Sequence, residues 1–198
     1  MKRLRIGVLA SGGGSNLQSI IDRSLDGSLL GDVVVVISNN SNAHALDRAR
    51  KHDIDALHIS AMTENSQEAA DNRITEELLS RNVDLVVLAG YLKKVGDRLI
   101  QAFRGNIINI HPALLPKYGG QDMYGMRVHR AVIDAGEKES GPTVHIVDQH
   151  YDTGKILAQA KVPVYTDDTP ESLQKRVIEK EHELYPHTIN TLARKWES

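Results

Sequence analysis

Ile6-Gly7-Val8-Leu9-Ala10-Ser11-Gly12-Gly13-Gly14-Ser15-Asn16-Leu17 is an apolar run that stops in three successive glycines and restarts with helical spacing at Leu17, Ile20 and Ile21. Strand, turn and helix are the reading of that pattern. Glycine tolerates positive φ and lets a ligand approach the backbone, while a new helix offers unpaired N–H groups and a partial positive charge. The junction therefore reads as a phosphate cradle. It is not the dinucleotide fingerprint, because Leu17 stands where the third glycine belongs, and it is not a P-loop, because no Lys-Ser/Thr follows Gly14. A mononucleotide-like or sugar-phosphate ligand fits better. The bland alternative is an ordinary glycine turn with Ser15 capping a helix.

The same alternation continues outward from this junction. Apolar runs at residues 33–38, 83–89 and 107–110 carry the near-continuous Val, Ile and Leu content of strands buried on both faces. Between them, Ala45-Leu46-Ala49, Ile74 with Leu78, and Val95 with Leu99 have helical spacing. The pattern predicts an α/β fold: an open, mostly parallel, Rossmann-like sheet with helices on both faces. A weaker strand is expected at 56–60 and later ones at 143–147 and 156–164, the last at an edge because it contains Pro163. Thr169-Pro170-Glu171 is a helix start, with a hydroxyl cap, a proline at the first helical position and an acid by the positive dipole end. The helix that follows is expected to turn Leu173, Val177, Leu184 and Ile189 inward.

With 198 residues, and no repeat or Pro/Gly/Ser linker, one domain spanning 1–198 is expected. The chain has no cysteine, which excludes disulfides, thiolate zinc sites and a cysteine nucleophile. Lys+Arg 24 against Asp+Glu 26 is too balanced for binding to phosphate backbones by bulk electrostatics, so no nucleic-acid partner is expected. The basic start, Met1-Lys2-Arg3, meets an apolar run too short for a signal segment, and no later run approaches a membrane span. A soluble, cytoplasmic chain without a membrane partner is expected.

The run at 107–110 leads into Asn109-Ile110-His111-Pro112-Ala113-Leu114-Leu115-Pro116. Strand period places Asn109 and His111 on one face, at the strand's carboxyl end, where open α/β sheets bind ligands. An imidazole there serves as acid or base near neutral pH, and an asparagine amide can donate to a developing oxyanion. His129 and His145 are further histidines that could approach the site. His44, His52, His58, His150 and His187 read as ordinary, and Met123, Tyr124 and Met126 as loop packing. Asp148 and Asp152 both follow the expected strand at 143–147, and spacing alone does not choose which of them serves the histidine.

Here the residues resemble a known family, the phosphoribosylglycinamide formyltransferases. The likeness runs from Ala10-Ser11-Gly12-Gly13-Gly14-Ser15-Asn16-Leu17 through Leu88-Ala89-Gly90-Tyr91 and the Asn109 to Pro116 segment to Lys180-Glu181-His182-Glu183-Leu184-Tyr185-Pro186. The resemblance implies the formyltransferase fold and a reaction in which 10-formyltetrahydrofolate, as co-substrate, formylates the amine of phosphoribosylglycinamide in purine synthesis. No metal is implied. It assigns catalysis to Asn109, His111 and Asp152, the substrate phosphate to Gly14, Ser15 and Asn16, and the substrate amine to Glu181. Folate is expected at Gln67, at Leu92, Lys93, Lys94 and Val95, and at Asp148, Gln149, His150 and Tyr151. Residues 1–105 then form a phosphate-binding half and 106–198 a catalytic and folate-binding half. His111 is expected to be protonated, held so by Asp152.

Three departures from the family pattern stand out: Ala113 after His-Pro, Gln67 where relatives often carry arginine, and extra residues between Gly120 and Arg127. The stretch 119–127 is expected to be a mobile cover. Rival readings are a 10-formyltetrahydrofolate hydrolase, expected to carry an N-terminal domain ahead of the strand that starts near Arg5, and a non-catalytic nucleotide-binding module. The methionyl-tRNA formyltransferases share Asn-x-His but need an RNA-binding domain beyond the position of Ser198. A monomer or homodimer is expected.

Overall fold

The computed structural model describes residues 3–196; Met1, Lys2, Glu197 and Ser198, and with them the first two residues of the basic start and both ends of the expected domain, lie outside the described residues. The elements run β1 (Leu4–Leu9), α1 (Ser15–Leu25), β2 (Gly31–Ser38), α2 (His44–Lys51), β3 (Asp55–His58), α3 (Gln67–Ser80), β4 (Leu85–Leu88), α4 (Asp97–Ala102) and β5 (Ile107–His111). There follow α5 (Met126–Asp134), β6 (Glu139–Ser140), β7 (Thr143–Ile146), β8 (Ile156–Gln159), β9 (Val162–Pro163) and α6 (Pro170–Lys195).

Seven strands form one sheet in the order β3-β2-β1-β4-β5-β7-β8. The first five pair in parallel, while β7 runs antiparallel to both β5 and β8. The strand period sorts the apolar runs into two layers. Ile6, Val8, Leu85, Val87, Ile108 and Ile110 join Leu17, Ile20, Leu46 and Ile189 on one face; Leu9, Val86, Leu88 and Ile107 join Ile74, Leu78, Leu99 and Phe103 on the other. Helices α1, α2 and α6 thus cover one face and α3 and α4 the other, as the sequence predicts.

Four expectations need correction. Residues 156–164 are two strands rather than one: β8 stays in the main sheet, and β9 pairs with β6, which the sequence did not announce. The break falls where the backbone of Gly141, at φ +140, lies so close to the carbonyl of Ala160 that any side chain would collide with it. Helix α5 was also not anticipated; Met126, expected in a loop, is its first residue, and Gly120 and Gly125 disguise its approach. Val95 is buried but precedes α4. In α6 Leu173, Val177 and Ile189 are buried as expected, but Tyr185, fully buried, takes the inward place expected of Leu184, which is only half-buried. The start of α6 is as expected: Thr169 and Ser172 form a reciprocal capping box and Pro170 opens the helix. Gly14, not Ser15, occupies the cap position of α1, without a side-chain cap. Among the described residues no helix is long and apolar enough to cross a membrane.

Candidate active site

The strand order reverses between β1 and β4, and ligands of open α/β sheets bind outside the carboxyl ends of strands at such a switch point. A cleft of about 390 Å³ opens there. The start of α1 brings Ser15 and Asn16 to it, the segment after β4 brings Leu92, Lys93, Lys94 and Val95, and β5 brings Asn109 and His111. The loop between β7 and β8 folds back over the strands and adds Asp148, Gln149, His150, Tyr151 and Asp152, and α6 adds Glu181.

Asp152, whose φ is +56, is the junction of the polar cluster. Its Oδ2 lies 3.5 Å from His111 Nδ1 and accepts the N–H of Gly120 at 2.9 Å; its Oδ1 lies 3.3 Å from His145 Nε2. His111 donates its Nε2–H to the carbonyl oxygen of Tyr118 at 2.7 Å. The carbonyl of Ile146, 2.9 Å from His145 Nδ1, can only accept, so that nitrogen carries a proton. His145 Nε2 then accepts from Asn109 Nδ2 at 3.2 Å when the ring is neutral, or donates to Asp152 when it is charged. Asn109 and Asp152 are therefore linked through His145.

His111 is buried, and its titration departs from expectation. Burial pulls its pKa below the ordinary value and outweighs the opposing pull of Asp152 and of the Tyr118 carbonyl, with His145 adding to the decrease. The neutral imidazole is favoured, where the carboxylate alone would have favoured the charged form. Asp152 is driven up by burial, yet the hydrogen bond from His145, the charge of His111 and the Gly120 amide bring it below the usual carboxylate range. His129, a further histidine in the cleft, is fully buried with Nδ1 unpartnered, and burial, with His111 adding to it, lowers its pKa to about 4.

Across the cleft, Glu181 is 6% exposed and accepts the Asn16 amide at 2.7 Å. Burial raises its pKa, with Asn16 opposing. Asn16 Oδ1 is buried without a hydrogen-bond partner, leaving an acceptor for a donor from outside the chain. Gly14 stands behind the cleft rather than in its lining. Gln67 lies outside it, in an adjoining cavity of about 540 Å³ that shares Tyr91 and Lys93 with the cleft, and its amide donates to Asp71. Asp148 is engaged within its own loop, accepting from the His150 N–H at 2.9 Å and the Thr153 hydroxyl at 3.0 Å.

Sequence reasoning left three participants unresolved. His145 faces Asn109 by β5–β7 register, a pairing that an expected strand does not reveal. The backbone of Tyr118 and Gly120 bonds His111 and Asp152 and carries no side-chain signal. Tyr185 reaches from α6 to place its hydroxyl 2.9 Å from the Leu88 carbonyl and 3.0 Å from that of Ile108, joining the last residue of β4 to the first half of β5.

Comparison with known proteins adds an independent line. Residues 4–189 match the family described as formyl transferase. A chloroplastic phosphoribosylglycinamide formyltransferase of Arabidopsis thaliana is 44% identical over 97% of this chain and 66% of its own length. The chain thus spans about two thirds of the length of that plant relative. The phosphoribosylglycinamide formyltransferase of Haemophilus influenzae is 42% identical over 93% of this chain and 85% of its own. The crystal structure of glycinamide ribonucleotide transformylase 1 from Symbiobacterium toebii superposes with a TM-score of 0.92 at 42% identity, over 98% of this chain and 89% of the other.

Proposed function

The chain belongs to the formyl transferase family, and from that premise we propose that it moves the formyl group of 10-formyltetrahydrofolate onto the amine of 5'-phosphoribosylglycinamide, giving N-formylglycinamide ribonucleotide and tetrahydrofolate. The observation that carries this reading is the linked set Asn109, His145, Asp152 and His111 at one wall of the cleft, with Ser15 and the Asn16–Glu181 pair at the other. A phosphate seated on Gly14, Ser15 and Asn16 would leave the substrate amine between Glu181 and the histidines. Folate would occupy the side lined by Leu92, Lys93, Lys94 and Val95 and by residues 148–152, with its outer part toward Gln67 across Lys93.

In this reading the amine attacks the formyl carbon and a tetrahedral oxyanion forms. The bond to folate N10 then breaks, and the amine proton passes to that nitrogen through water. Asn109 Nδ2 and the His111 N–H donate to the oxyanion. The neutral imidazole favoured by burial has its one N–H, at Nε2, on the Tyr118 carbonyl, so it serves the oxyanion by exchanging that partner for the substrate, and growing negative charge beside it favours gain of a second proton. Asp152 orients both histidines. We further infer a cytoplasmic enzyme acting on small molecules, as monomer or homodimer, without nucleic-acid or membrane partners; the balanced net charge supports the absence of a nucleic-acid partner. The two halves, 1–105 and 106–198, then divide phosphate binding from catalysis.

The test is release of tetrahydrofolate from 10-formyltetrahydrofolate with and without phosphoribosylglycinamide. Release that requires the amine, with formylated product in equal amount, is the expected outcome. Release at the same rate without it would identify a hydrolase, and none under either condition a binding module.

A further inference from the structure

The glycine turn is held from behind by α2, a helix that contributes nothing to the lining of the cleft. Gly14, at φ +70, sits so close to this helix that a Cβ would lie 3.0 Å from Ala45 Cα and Cβ and 3.4 Å from Arg48 Cδ. Two consecutive carbonyls of the turn are fixed on it. The oxygen of Gly12 accepts the N–H of Ala45 at 3.1 Å, and the oxygen of Gly13 accepts the Nε–H of Arg48 at 2.8 Å. The Arg48 guanidinium is held in turn by Gln18 Oε1 of α1 at 3.0 Å, so one side chain joins α2, the turn and the helix that follows it.

In a trans peptide the carbonyl and the next N–H point in opposite directions. Fixing the Gly12 and Gly13 oxygens on α2 therefore turns the N–H groups of Gly13 and Gly14 away from α2, leaving them available to an anion. The backbone of Ala45 secures the first of these peptides whatever its side chain. Among the described residues the second is held by Arg48 alone. A glycine peptide without that tether has a wide choice of orientations, and its N–H would have to be ordered by the ligand at a cost in affinity.

We propose that Arg48 is a positioning residue for phosphate recognition: it orients the Gly13–Gly14 peptide so that the Gly14 N–H is presented to a phosphomonoester, and it adds a fixed positive charge behind the turn. The inference rests on reading the turn as the phosphate site. It is specific in what it affects, since an arginine that merely stabilised the fold would alter every ligand alike.

The experiment compares wild type with Arg48→Met, which keeps the stem against Gly14, with Arg48→Lys, which keeps the charge but lacks the Nε–H, and with Gln18→Ala, which frees the guanidinium. KM and kcat are measured for phosphoribosylglycinamide, for the riboside lacking the phosphate, and for the folate. A lost hydrogen bond involving a charged group corresponds to about tenfold in affinity. KM for the phosphorylated substrate should rise by that order in Arg48→Met and Arg48→Lys, and by less in Gln18→Ala. The riboside and folate constants and kcat should be nearly unchanged. Wild-type behaviour of Arg48→Met overturns the proposal, and so does full rescue by lysine, which would mean that charge alone suffices. A wild-type enzyme that does not distinguish the phosphorylated substrate from the riboside overturns the reading of the turn itself, and the proposal with it.

Discussion

At Asp152 two imidazole rings and one backbone amide meet two carboxylate oxygens, and the consequences belong to single residues. His111 and the Gly120 amide face Oδ2, and His145 faces Oδ1. Asp152→Asn should lower turnover strongly while ligand affinities stay close to wild type. Once His111 is replaced by alanine, adding Asp152→Asn should cost little more, because the two act as a unit. Simple addition of the two losses in the turnover of the single and double variants would rule out that coupling. Asn109→Ala should raise the barrier by about 2.7–4 kcal/mol if its amide serves as an oxyanion donor. Asp148 supplies the internal contrast. Its oxygen is occupied within its own loop, so Asp148→Asn should leave turnover near wild type.

At the scale of elements, the turn between β1 and α1 and the segment before α5 carry separate predictions. Gly14→Val places a branched side chain at φ +70 and against Ala45, so it strains the turn and displaces it from α2. The expected result is a large loss of affinity for phosphoribosylglycinamide with folate affinity nearly retained; equal loss of both would show that the turn does not serve the phosphate. The second element is the stretch 119–127. Its beginning is tied to the catalytic groups, through Gly120 to Asp152 and, just before it, through Tyr118 to His111. Its last two residues already belong to α5. Amide exchange across 119–125 should slow when both substrates bind, and unchanged exchange would remove the role of a cover.

Over the whole molecule, buried histidines tie stability to pH. His129 falls from an ordinary 6.5 to about 4, and His111 and His182 are also lowered by burial. The folded state thus binds fewer protons than the unfolded one, so these groups cost nothing above about pH 6.5 and weaken the fold as pH falls from there toward about 4. Glu181 and Asp71, raised by burial, act in the opposite sense over the carboxylate range. The urea midpoint of wild type should fall between about pH 7 and about pH 5, and His129→Gln should fall less over the same interval. Parallel slopes would mean that His129 does not titrate with unfolding.

The sequence by itself determined the layered α/β architecture, because strands buried on both faces must be apolar throughout and the helices that cover them must repeat at 3.6 residues. It also located the glycine turn and the Asn109–His111 pair, since both lie within one local strand-end motif. What it left open was everything that depends on contacts between distant segments. Asp148 and Asp152 are equivalent in spacing, and only the fold of the β7–β8 loop brings Asp152 to His111 and His145. His145 joins Asn109 through antiparallel register, and Tyr185 joins β4 to β5 from a helix far along the chain. The protonation of His111 was likewise a tertiary matter: the neighbouring acid was legible, but the larger influence, burial, arises only when the chain closes around the ring.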